Sequence, residues 1–104
     1  MEYPALFVKQ NDRFVRINLN DILFLQAQGS YSMLVTTSVE FVIAKNLSQF
    51  LKRNSFRTLL RVHRSFAVNL ACIDSFDQNF VYIAKTQIPL GENYRPEFLK
   101  SVLG

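Results

Sequence analysis

The stretch Arg61-Val62-His63-Arg64-Ser65-Phe66-Ala67-Val68-Asn69 holds the densest set of side chains able to grip an anion or move a proton. In an extended strand, alternate side chains point to opposite faces. Arg61, His63 and Ser65 then share one face, and Val62, Arg64 and Phe66 share the other. Arg64 is out of phase, because Val62, Phe66 and Val68 make its face apolar. Two arrangements resolve the conflict. A bend or bulge re-aims Arg64 outward, or Arg64 is buried with a partner. An arginine freed at a strand end carries the fork of donors that reads phosphates or guanine edges.

Other reactive types are sparse. His63 is the only histidine and has no acid partner near it in sequence. A lone histidine on a strand reads as a hydrogen-bonded structural residue before it reads as a general base. Cys72, the only cysteine, cannot form an internal disulfide and reads as a small buried hydrophobe between Ala71 and Ile73. Asp74 and Asp77 are the one close carboxylate pair, and an Asx turn explains them better than acid–base work. There is no Gly-rich phosphate loop, no nucleophile elbow and no zinc spacing. The chain is therefore read as a non-enzyme with no cofactor and no metal.

The elements that would position these residues are short and mostly alternating. Leu6–Val8 reads as a strand, and Asn11-Asp12 as a turn. Val15, Ile17 and Leu19 alternate with Arg16, Asn18 and Asn20, a half-buried strand. Asp21 precedes the apolar run Ile22–Leu25, and Gly29-Ser30 is a second turn. Tyr31, Met33 and Val35 alternate with Ser32, Leu34 and Thr36. Thr37-Ser38 separates these from Val39, Phe41 and Ile43, as a hairpin would. Asn46 with Gln49 three residues on makes a capping box, predicting a helix whose apolar face is Leu47, Phe50 and Leu51 and whose stop is Asn54-Ser55. The segment from Phe56 to Asn69 reads as extended. Phe80–Ala84 and Gln87–Leu90 are strands. A last helix starts near Asn93, with Pro96 in its first turn and Tyr94, Phe98, Val102, Leu99 and Leu103 on its apolar stripes. Six to nine short strands with two short helices give a mainly β domain, and no long helices separate strands as a parallel βαβ sheet requires.

At 104 residues the chain makes one domain, 1–104, with a core rich in rings from ten Phe and four Tyr. The net charge is +4. No acidic residue lies between Phe41 and Ile73, whereas Lys45, Lys52, Arg53, Arg57, Arg61, His63 and Arg64 do. Such asymmetry predicts one positive region that attracts a polyanion, or else a solvated face or a dock for an acidic protein. Cysteine usage and the lack of a signal-type N-terminus point to a reducing cytoplasm. No apolar run reaches the length of a membrane span, so no membrane partner is expected.

Three pieces, in order, resemble the LytTR-type DNA-binding domain, the output module of many bacterial two-component response regulators. The first is Asp21-Ile22-Leu23-Phe24-Leu25-Gln26-Ala27-Gln28-Gly29-Ser30-Tyr31. The second is Asn46-Leu47-Ser48-Gln49-Phe50-Leu51 followed by Phe56. The third is Arg61–Asn69, then Ile73, Ile88-Pro89-Leu90-Gly91 and Tyr94. The resemblance covers roughly residues 6 to 103. It implies an elongated, mainly β fold of about ten short strands in successive sheets with one or two short helices. It also implies that loops and strand ends, not a helix, enter two successive major grooves and the minor groove between them.

Carried onto this sequence, the DNA-binding positions are Tyr31 and Ser32 in one loop and Arg64 in the His-Arg-Ser piece. Asn93 and Arg95 match backbone-contacting positions after Ile88-Pro89. Arg61 and Lys45 join them as cations of the basic span. Gly91-Glu92 departs from the Ser-Arg or Gly-Arg common in the family, and Glu92 cannot pair with a guanine edge or a phosphate. His63 and Asn69 are read as structural.

The implied function is sequence-specific double-stranded DNA binding for transcriptional regulation. The targets would be promoter direct repeats bound by a second copy of the domain. The implied partners in a full-length protein are an upstream receiver domain and a sensor kinase. Residues 1–5, with Pro4, read as a linker remnant, and this sequence contains no receiver domain. The alternatives are a protein-interaction module using its basic face to dock an acidic partner, and an RNA-binding β domain.

Overall fold

Turn chemistry divides the chain before any packing does. In the computed structural model, which describes residues 5–54 and 58–104, β1 (Ala5–Gln10) and β2 (Arg13–Asn18) form an antiparallel hairpin from Ala5↔Asn18 to Gln10↔Arg13. Asn11 turns it at φ +60°, a conformation that asparagine tolerates well. Ala5 is thus the first residue of a strand and not the end of a linker. Residues 1–4, Ser55, Phe56 and Arg57, on which other expectations fell, lie outside the described residues.

A five-stranded antiparallel sheet follows. It is built from β3 (Ile22–Gln28), β4 (Tyr31–Thr36), β5 (Glu40–Ile43), β6 (Leu59–His63) and β7 (Phe66–Asn69), in the order β5-β4-β3-β7-β6. Helix α1 (Leu47–Arg53) lies between β5 and β6 in sequence. Its capping box is complete: Gln49 N–H donates to Asn46 Oδ1 at 2.8 Å, and Asn46 N–H donates to Gln49 Oε1 at 3.0 Å. A three-stranded sheet of β8 (Ser75–Phe76), β9 (Phe80–Ile83) and β10 (Thr86–Pro89) and the helix α2 (Arg95–Leu103) complete the fold. Among the described residues, ten strands in three sheets with two short helices match the expected mainly β class. The extents of 42 × 33 × 26 Å make the molecule longer than it is broad.

The five-stranded sheet packs against a core on each face. On one, Leu25, Leu34, Phe41 and Ala67 pack with Leu47 and Phe50 of α1 and with Leu6, Val8 and Ile17 of the first hairpin. On the other, Phe24, Val62 and Val68 pack with Val81, Ile83 and Ile88 and with Phe98 of α2. Phe98 is fully buried, and its ring meets Phe76 edge-on at 5.1 Å. Truncating it to alanine should cost about 3–5 kcal/mol. Asn69 links the two layers. Its fully buried amide donates to Leu19 O at 3.0 Å and Ile22 O at 2.8 Å and accepts from Ala71 N–H at 3.1 Å, so it is satisfied on both sides.

Two sequence expectations need correction, and a phase left open in β4 is decided. The run from Phe56 to Asn69 is not one extended segment, because Arg64-Ser65 is a two-residue turn joining β6 to β7. In β4 the buried phase is Ser32, Leu34 and Thr36, with Tyr31 outside. Leu103 is not on the buried stripe of α2. It is 72% exposed, because the helix buries only Phe98 outright and ends where the core does.

Candidate nucleic-acid interface

Strand pairing brings four loops to one end of the central sheet. The last β3–β4 pair is Gln28↔Tyr31, so the Gly29-Ser30 turn emerges there. The first β3–β7 pair is Gln26↔Phe66, so Arg64-Ser65 emerges beside it. Ala27 N–H donates to Ser65 O at 2.8 Å and ties the two turns together. Ser32 pairs with Ile43, which brings Lys45 to the same end. The loop Gly91–Tyr94 is added by the 2.7 Å bond from Gly91 N–H to Val62 O. Glycine keeps this approach close: a Cβ on residue 91 would lie 3.0 Å from the Tyr94 ring and 3.4 Å from Val62 O, so the Tyr94 ring would have to shift by a few tenths of an ångström.

The phase conflict at Arg64 is resolved by a bulge. The β6–β7 register slips between Arg61↔Ala67 and His63↔Phe66, so Val62 has no partner across the ladder. Val62 keeps its side chain in the core, and its released carbonyl is the one Gly91 takes. His63 then falls on the same side as Phe66, 5.9 Å from its ring, and Arg64 is thrown into the turn, where it is exposed. His63 Nδ1 accepts the Ser65 N–H at 3.0 Å, which closes the turn and leaves Nε2 to carry the ring proton.

Arg61 braces this turn from beneath. Its Nε donates to His63 O at 3.2 Å, one Nη to Ser48 Oγ at 2.8 Å and the other Nη to the Arg64 carbonyl. Arg61 was expected to touch DNA. Three of its five N–H groups are instead spent on the backbone around Arg64 and on α1, so it supports the turn and does not project from it. Ser32 also needs correction. It is fully buried and its hydroxyl donates to Lys45 O at 2.7 Å, so it has no surface to offer a ligand.

The remaining expected residues divide by exposure. Tyr31 is half exposed and Asn93 exposed. Arg95 is partly buried, with Nε donating to Gln78 O at 2.7 Å, which ties the first turn of α2 to the β8–β9 loop. Lys45 is partly buried beside the cap of α1. Gln28 and Ser30, both exposed at the first turn, were not singled out from sequence. In sequence Ser30 is part of a turn and Gln28 the residue before it, and only the pairing of β3 with β7 places them next to Arg64.

Elsewhere the titratable groups serve turns. Asp77 Oδ1 accepts Asn79 N–H and Phe80 N–H, both at 2.8 Å, and Oδ2 accepts the Tyr82 hydroxyl at 3.0 Å. The two backbone donors hold the Asp77 carboxyl below the usual carboxylate range, and that carboxylate pushes the Tyr82 phenol up. The Cys72 thiol is raised by burial and by Asp74 and Asp21, and it donates to Ile22 O at 3.3 Å, which suits a structural thiol. Among the described residues no group of three His, Cys, Asp or Glu could hold a metal ion.

The family model of the LytTr DNA-binding domain matches residues 12–102. This chain belongs to the LytTR family of DNA-binding domains. A LytTR structure from a Bacillus cereus protein, described as a methyl-accepting/DNA response regulator, superposes with a TM-score of 0.79 at 17% identity, covering 95% of this chain and 96% of that one. The sensory transduction protein LytR of Staphylococcus saprophyticus is 27% identical over 78 residues, which are 75% of this chain. The LytTR domain here spans only 31% of the length of that relative. No described helix is long and apolar enough to cross a membrane.

Proposed function

We propose that the four-loop end of the sheet binds double-stranded DNA sequence-specifically, as the transcriptional output domain of a two-component response regulator. The observation that carries this reading is the exposure of Arg64 on a turn fixed by a bulge, by His63 and by Arg61. A braced turn keeps the arginine fork oriented toward a base edge and lowers the ordering cost of contact. Tyr31, Lys45, Asn93 and Arg95 would flank it against phosphates, positioning the duplex without reading sequence. Gln28 and Ser30 add neutral donors and acceptors beside Arg64. Glu92, exposed between Gly91 and Asn93, can accept from a cytosine amino group or face water.

A domain of this size makes few contacts. Tight occupancy therefore calls for a second copy on a direct repeat, where linkage through the same DNA raises effective concentration. An upstream receiver domain, governed by a sensor kinase, would supply the signal in a full-length protein of the cytoplasm. The direct test is Arg64→Ala, measured by fluorescence anisotropy on a selected duplex and by thermal unfolding. Specific affinity should fall by about 1–3 kcal/mol with the unfolding midpoint nearly unchanged. Unaltered affinity for the selected site would remove Arg64 from the interface.

A further inference from the structure

Away from the DNA-facing loops, the outer face of the first hairpin leaves large apolar side chains in water. Phe7 is 61% exposed, Phe14 66% and Val42, on β5, 62%. Phe7 lies opposite Arg16 and Phe14 opposite Lys9, so the two rings are diagonal neighbours on one hairpin face. They border a groove of about 610 Å³ between β1 and β5, with Phe50 of α1 also lining it. The strands on its two sides pair away from it: β1 with β2 and β5 with β4. Among the described residues, no backbone hydrogen bond joins β1 to β5. Each side of the groove therefore offers strand-edge N–H and C=O groups, as a template for an added strand does.

Charge selects the occupant. The groove is lined by Lys9, Lys45 and Arg53 and by no carboxylate among its described residues. A second copy seated face to face would set the same cations against themselves, because a two-fold contact pairs each patch with its own kind. We propose that this groove docks an acidic, apolar segment of a partner protein, laid in as an extended strand along β5 with alternate apolar side chains against Phe7, Phe14 and Val42 and with carboxylates meeting Lys9, Lys45 and Arg53. Lys45 belongs both to the groove and to the DNA-facing end, so a partner here reaches the edge of the DNA site without covering Arg64.

The test uses the whole 104-residue chain and a fluorescein-labelled peptide of about ten residues alternating Glu with Val and Phe. One control replaces Glu with Lys, and a second replaces Val and Phe with Ser. At about 150 mM salt, where loose charge attraction is screened, the acidic apolar peptide should bind at least about tenfold more tightly than either control. Phe7→Ser with Phe14→Ser should remove that preference, and Lys9→Glu with Arg53→Glu should transfer it to the Lys peptide. All four positions are exposed, and thermal unfolding checks that each variant folds. Equal binding of the Ser control, indifference to the groove substitutions, or no binding at all overturns the proposal. Self-association in sedimentation that vanishes in the Phe7→Ser/Phe14→Ser variant would assign the groove to a second copy instead. Tighter binding of oligo-dT, lost in the same variant, would assign it to single-stranded nucleic acid.

Discussion

At the residue scale, Arg61 and Arg64 are two arginines three positions apart with opposite roles. Arg64 is exposed and makes no side-chain bond among the described contacts, so its removal should be felt by DNA and not by the fold. Arg61 bonds His63 O, Ser48 Oγ and Arg64 O, so Arg61→Ala should lower both stability and specific affinity. Charge-assisted bonds are typically worth about 1.5–3 kcal/mol. Partial exposure discounts this, and a loss near about 1 kcal/mol in chemical denaturation is expected for Arg61→Ala. Arg61→Lys should recover little, because a lysine cannot span three acceptors with a rigid fork. Asn69→Ala is the severe change in this region. It removes one donor each from Leu19 O and Ile22 O and the acceptor of the Ala71 N–H, and a loss of about 1–3 kcal/mol in urea unfolding is expected.

At the element scale, two turns make their own predictions. Ile83↔Thr86 closes the β9–β10 hairpin through Ala84 at φ +47° and Lys85 at φ +68°, a type I′ geometry held by residues with a Cβ. Asp74 Oδ2 accepts the Ala84 N–H at 2.9 Å and fixes the turn from outside. Lys85→Gly relieves the left-handed strain, and a gain of about 0.5–1 kcal/mol in denaturant titration is expected. The second turn belongs to Asp77. Its carboxyl is depressed in the folded state by the Asn79 and Phe80 N–H groups. Its contribution is therefore present above the unfolded value of about 3.9 and is lost as pH falls through the lower folded value. Asp77→Asn should lower stability by a constant amount above about pH 5 and flatten the acid limb below about pH 4, where the two chains converge. An unaltered acid limb in the variant would show that the turn does not depend on that charge.

These elements also show what the sequence could reveal. The capping box of α1, the Asn11 and Gly29 turns and the hydrogen-bonded Asp77 loop were readable because local side chain–backbone bonding creates them. So was the phase conflict at Arg64, which left either a bulge or a buried arginine with a partner. Its outcome was not readable, because the bulge is fixed by a long-range partner: the Gly91 N–H takes the carbonyl that the bulge releases at Val62. The hairpin at Arg64-Ser65 was hidden for a related reason, since Arg64 is no turn former and Ser65 alone is a weak signal inside an alternating run. Ser32 was named as a contact only through the family resemblance, and nothing local in the alternating run showed that its hydroxyl is a buried donor to Lys45 O.

At the scale of the whole molecule, one sheet organises the function. The cores packed on its two faces fix the strand ends, and the strand ends set four loops side by side. Binding should therefore be salt-steep and loop-driven. Lys45→Ala should weaken binding evenly across sequences and reduce the salt slope by about one. A change in base preference instead would move Lys45 from the phosphate contacts to the base-reading set. Helix α2, with Glu97 in its first turn and Lys100 its only base after Arg95, has no basic face to lay in a groove. Exchanging its exposed Lys100 for Ala should leave affinity nearly unchanged.

The central claim is that the end of the sheet carrying Arg64 reads duplex sequence. Selection of the tightest binders from a pool of random duplexes, run in parallel with the Arg64→Ala chain and across a salt series, tests it most directly. The native chain should enrich a short motif in direct repeat, and the variant should lose preference at one position of that motif while keeping its salt slope within about one. No enriched motif for the native chain, or the same motif with equal strength for the variant, would contradict the claim.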